Sequence, residues 1–206
     1  DFCLSRGLGD VYKRQLLNHP SRYAGKYTVA QLREMNDLAP DVFFAIEGMV
    51  GNQMEPDRGG YATAYTNAFL PNRTYGGVDY LVAHLGGTWD ALLGEGRRIW
   101  TVADSDFHFR TASGLYSSGY APGEYAKTHV WKDGKDMASV VAGLKSGRVF
   151  GVFGDLIDAL DFQAKGAGGA VHMGGELKAA KGERVEVTIR FRSPDSNNYE
   201  YPIESG

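Results

Sequence analysis

Cysteine is almost absent: Cys3 is the only one in 206 residues. That excludes an intrachain disulfide and any zinc–thiolate cluster, so a metal ion would have to be held by histidine and carboxylate. An excess of one charge is also lacking. Twenty-two basic side chains face 25 acidic ones, a net charge of -3, which offers no electrostatic reason to expect nucleic acid or an acidic membrane surface as partner. No apolar run approaches the roughly 20 residues that span a bilayer. What remains is an ordinary globular composition, 43% hydrophobic and 23% charged, enough for one domain or one domain with part of another. Glycine is abundant at 28 residues, which points to tight turns and close backbone approaches.

The chain divides into three parts by pattern. Residues 1–15 show neither helical nor strand periodicity. The stretch from Ser5 to Gln15 resembles translated sequencing-adapter sequence of the kind found at the start of metagenomic gene fragments, and it is set aside from fold reasoning. From 16 to about 155, strand-like and helix-like segments alternate. Leu16 and Leu17 approach His19-Pro20. Thr28 is placed to cap a helix carrying Val29, Leu32 and Met35 at helical spacing, and Val42 to Ile46 reads as a buried strand. A glycine-rich loop with Gly48, Gly51, Gly59 and Gly60 follows. Thr88 is placed to cap a second helix through Trp89, Leu92 and Leu93, and Arg98 to Ala103 reads as another buried strand. Asp136 to Ser146 predicts a third helix ending at Gly147, and Arg148 to Phe153 a further strand. This alternation predicts an α/β domain with mostly parallel strands.

Beyond residue 155 the pattern changes. Val185, Val187, Ile189 and Phe191 alternate with Glu186, Thr188, Arg190 and Arg192, the signature of a half-buried antiparallel strand. Residues 156–206 are expected to be the start of a truncated β-rich domain. The segment from 193 on, with Pro194, Asp195, Asn197, Asn198 and Pro202, reads as a loop.

Chemistry-bearing residues fall at the ends of the predicted strands, where α/β folds place their sites. Asp106-Phe107-His108 follows an apolar strand. In extended backbone its aspartate and histidine would share one side of the chain and could meet one divalent ion; taken alone, the triplet also suits a polar loop. In His19-Pro20 the proline biases the histidine toward extended backbone, and an ordinary turn is the plainer reading. Glu47 ends the most apolar strand. A carboxylate there must be solvated, paired or metal-bound, so it is a ligand, a residue that orients a ligand, a general base, or half of an arginine salt bridge. Arg22, three residues after His19, and Arg58, in the glycine-rich loop, are candidates to hold phosphate through a guanidinium fork; both also suit a solvated surface. His84 is expected at a helix end, His129 in a strand and His172 in the β-rich tail, all away from the site.

Asn18-His19-Pro20, Ile46-Glu47-Gly48 and Ala103 to His108, in this order and each after a strand, resemble the later half of the polymerase and histidinol phosphatase (PHP) family of metal-dependent phosphoesterases. The resemblance covers about residues 16–155. It implies a partial distorted β/α barrel, with His19, Asp106 and His108 as metal ligands. It also implies divalent metal cofactors (zinc, manganese or iron) and a small-molecule phosphate ester as substrate. Glu47 matches no ligand position of the family and is carried as a catalytic or ligand-orienting residue. The family's opening His-x-His pair and its further early ligands have no counterpart among His19, His84, His108, His129 and His172. The expectation is therefore an enzymatic parent protein, with this stretch of chain holding only three ligands and inactive by itself. Two rival readings are an amidohydrolase-like metal hydrolase and a non-catalytic PHP-like scaffold carrying a binding β domain.

Overall fold

A computed structural model describes residues 15–21, 27–51, 78–107, 122–123 and 126–195. The chain is mixed α/β, and its described strands form three small sheets with no closed barrel among them. The first sheet is parallel, with β1 (Gln15–Leu17), β2 (Phe43–Val50) and β3 (Trp100–Asp104) in the order β1-β2-β3. Between them lie α1 (Val29–Leu38), α2 (Tyr80–Ala83) and α3 (Thr88–Gly94).

The central strand is the one whose sequence is a continuous apolar run, as a parallel strand covered on both faces requires. On one face Phe43 and Ile46 pack with Leu17, Leu32, Leu81, Leu92 and Ile99 in a buried cluster. On the other, Phe44, Ala45 and Val102 pack with Trp100 and Leu144. Helix α1 forms where expected. Thr28 and Gln31 exchange side-chain-to-backbone hydrogen bonds in a complete capping box, and Leu32 is fully buried. The helix at 88–94 corrects the expectation for Thr88, which is its first residue; Gly87 occupies the cap position and offers no side-chain bond.

The register of β2 against β3 shifts between Glu47 and Met49, so Gly48 is an extra residue in the ladder. A side chain could not stand there: a Cβ on Gly48 would lie 1.9 Å from Thr101 Oγ1. At the outer edge of β3 the Thr128 hydroxyl takes the place of a neighbouring strand, accepting from Ala103 N–H (2.8 Å) and donating to Ala103 C=O (2.6 Å).

Thr128 belongs to β4 (Ala126–Val130), which pairs with β5 (Val149–Phe153) in an antiparallel ladder rather than extending the parallel sheet. Helix α4 (Met137–Ser146) connects the two. Asp136 caps its start, and left-handed Gly147 ends it against the face of Trp100.

The third sheet is antiparallel, in the order β7-β6-β8, from β6 (Ala159–Gly166), β7 (Gly169–His172) and β8 (Glu186–Arg192). The alternation of β8 is present in the structure, but the expectation of a half-buried strand is not met. Val187, Ile189 and Phe191 are 54%, 57% and 67% exposed, because no described residue is layered over that face. On the opposite face Arg190 and Arg192 pair with Asp161 and Asp158 of the neighbouring segment. Among the described residues no helix is long and apolar enough to cross a membrane.

The cores predict a sharp contrast. Leu32→Ala should cost about 2–5 kcal/mol in denaturant unfolding, while Leu38→Ala, at an exposed position on the same helix, should stay within about 0.5 kcal/mol.

Candidate functional site

The loops after β1 and β3 carry His19 and Asp106 toward the central strand, where Glu47 of β2 and Asp104, the last residue of β3, lie in the same region. Glu47 does not end its strand, as the apolar run suggested; β2 continues to Val50. The carboxylate is therefore held inside the sheet layer, only 1% exposed. Among the described residues its partner is no arginine. Glu47 Oε2 accepts the backbone N–H of His19, and the carboxyl of Asp104, at the end of β3, adjoins it.

Burial is the largest influence on the Glu47 carboxyl. Together with the adjoining Asp104, and then the charge of Asp106, it pushes the group up to about 10, while the His19 N–H pulls in the opposite direction. Without a cation, this setting favours the protonated form of the Glu47 carboxyl. A divalent ion in the same place would offset the crowded negative charge and release that proton.

The backbone around the candidate ligands is unusual. His19 and Asp106 are the non-glycine residues with positive φ among the described residues, at 29° and 46°. This corrects the expectation that both would be extended. Left-handed backbone in a side-chain-bearing residue costs about 1–3 kcal/mol and persists only where surrounding contacts enforce it. For Asp106 the enforcing contact is local, its N–H donating to Asp104 Oδ1 at 2.9 Å. For His19 it is the clasp of Glu47 on one side, with buried Pro20 on the other.

A second buried acid holds the same loop. Asp79, fully buried, accepts the N–H of Ser21 at 3.1 Å and caps α2 by accepting the N–H of Leu81 at 2.9 Å. Its own N–H donates to Gly48 C=O at 2.8 Å, and Ser21 Oγ accepts from Leu81 N–H at 2.9 Å.

Of the residues singled out from sequence, His19, Glu47 and Asp106 are thus brought to one end of the sheet. Arg22, Arg58 and His108 lie outside the described residues. Asp104, Asp79 and Ser21 were missed. A faint signal existed for Asp104, which stands two residues before Asp106 at a strand end; none existed for Asp79, whose role depends on a partner 58 positions away.

In donor type the cluster fits a divalent ion, offering carboxylates and an imidazole. Among the described residues no group of three or more His, Cys, Asp or Glu is arranged to hold a metal ion. The other histidines stand apart: His84 stacks on Tyr80 at the end of α2, His129 stacks on Phe150, and His172 lies beside Asp161. A cavity of about 420 Å³ lined by Trp131, Leu160, Phe162 and Met173 also shares no residue with the cluster. Comparison with protein-family models, with curated proteins and with solved structures finds no match to this chain.

The Glu47 carboxyl generates a pH prediction. Its folded-state value is raised far above the ordinary 4.5, so the folded chain binds more protons than the unfolded chain between the two values. Its stabilising contribution is complete below about pH 4.5 and is lost as pH rises toward 10. Metal-free chain should be measurably less stable at pH 9 than at pH 6 in urea unfolding. Glu47→Gln, whose amide can donate to Asp104 and accept from His19, should flatten that slope. An unchanged slope would mean that Glu47 does not carry it.

Proposed function

We propose that this chain is part of a PHP-like, metal-dependent phosphoesterase, with a partial distorted β/α barrel at residues 16–155 and the start of a β-rich domain at 156–206. The observation that carries the reading is that His19, just after β1, and Asp104 and Asp106, at the end of β3, flank Glu47 of the central strand, a buried carboxyl that favours a proton or a cation. This is the place where open parallel sheets keep their ligands.

In this reading His19 and Asp106, with His108, hold divalent ions of zinc, manganese or iron. Such ions supply phosphate binding, a water of lowered pKa and stabilisation of the leaving oxygen. Glu47 fixes His19 through its backbone N–H and, once ionised, adds negative charge beneath the site. Asp104 fixes Asp106 in the same manner. Arg22 or Arg58 would hold the phosphate of a small-molecule ester through a guanidinium fork. A phosphoesterase is preferred to an amidohydrolase because the motif order around His19 and Asp106 resembles the former. The parent protein, with any further ligands, would be the active species.

Metal binding by the chain is the direct test. Manganese or zinc should be retained after dialysis and should raise the free energy of unfolding by about 2.7 kcal/mol at a hundredfold excess over Kd. Asp106→Ala combined with His108→Ala should abolish both effects. In the parent protein, the same double variant should lose hydrolysis of phosphate esters. Activity on amides in place of phosphate esters would move the assignment to the amidohydrolase class, and full phosphatase activity in the variant would overturn the ligand assignment.

A further inference from the structure

We propose that Asp79 is a positioning residue for His19, acting through the backbone of the His19–Ser21 loop. Its role toward a metal rests on the functional reading above; its role in placing the loop rests on geometry alone. The loop is gripped at both ends by buried acids. Glu47 takes the N–H of His19, and Asp79 takes the N–H of Ser21. Pro20, between them, has no N–H and is itself buried, so these are the two backbone donors the tripeptide can offer.

The two acids are not independent. Asp79 N–H donates to the carbonyl of Gly48, the residue next to Glu47 and the extra residue of the bulge. The peptide of Gly48 therefore ties both grips to one point of β2. A grip at each end is what a left-handed histidine needs, since its backbone would relax if either end were released. Asp79 is also the cap of α2, which carries Leu81 into the core, so the placement of His19 is referred to the packed helix layer as well as to the sheet.

Two variants separate positioning from simple stability. In Asp79→Asn the side-chain oxygen can still accept from Leu81 N–H, so the helix cap survives, but the amide group replaces the acceptor that faces Ser21 N–H. In Ser21→Ala the Ser21 N–H bond to Asp79 is kept, and the hydroxyl, with its acceptor for Leu81 N–H, is removed.

Amide hydrogen exchange by NMR on the metal-free chain reads the grip directly. Asp79→Asn should speed exchange at both residue 21 and His19 by about tenfold or more, while Ser21→Ala should leave His19 protected as in the wild type. Manganese binding by calorimetry reads the consequence. Asp79→Asn should weaken it by about 10- to 100-fold, the usual range for a residue that orients a ligand, with the unmodified affinity kept in Ser21→Ala. Unchanged protection of His19 in Asp79→Asn, or equal loss in Ser21→Ala, would overturn the proposal. If the wild-type chain binds no manganese, the exchange arm still decides the positioning role, and the failure belongs to the metal reading.

Discussion

The structure turns on one buried carboxyl. Glu47 sits in a strand whose other residues are apolar or small, between two strands that cover it laterally and two layers that cover its faces. An acid in that position must be compensated, because an unpaired buried charge is far costlier than any gain from packing. Its compensation comes from the loop after β1 and from the end of β3. The two neighbouring strand ends are thereby drawn toward the central one, and His19 and Asp106 arrive in the same region as a result. The sheet supplies the scaffold, and the need to satisfy Glu47 sets where its loops go.

Much of this could be read from the residues. The apolar run at 42–46 announced the central strand, Thr28 and Gly147 announced the ends of their helices, and the strict alternation from Val185 to Phe191 announced β8. Local patterns succeed where local physics decides: capping, glycine at positive φ, and side-chain alternation. They fail where the deciding partner is remote. The apolar run could not show that β2 extends past Glu47, because the bulge at Gly48 depends on the Thr101 side chain of another strand. Proline after His19 suggested extended backbone, yet two acids distant in sequence hold the residue left-handed. Nor could alternation in β8 tell whether anything covers its apolar side.

The region from β6 onward follows a different logic from the parallel sheet. Its order comes from antiparallel ladders and from arginine–aspartate pairs on one face, not from a filled interior. Exposed ion pairs of this kind define register more than they stabilise. The parallel sheet concentrates the buried aliphatic residues, and the candidate chemistry stands at its rim. The Thr128 hydroxyl on Ala103 and the Trp100 indole on the Lys145 carbonyl join that sheet to the β4–α4–β5 unit.

The left-handed backbone at His19 and Asp106 has an evolutionary consequence. Glycine reaches that conformation without steric cost, and asparagine reaches it more readily than most residues. At these two positions the replacements easiest on the fold are thus ones that discard an imidazole or a carboxylate. Selection for stability alone would erode the cluster rather than keep it, so a lineage that retains histidine and aspartate here is held to them by something other than folding. In related sequences, glycine or asparagine at either position would mark a chain that has traded chemistry for an easier backbone.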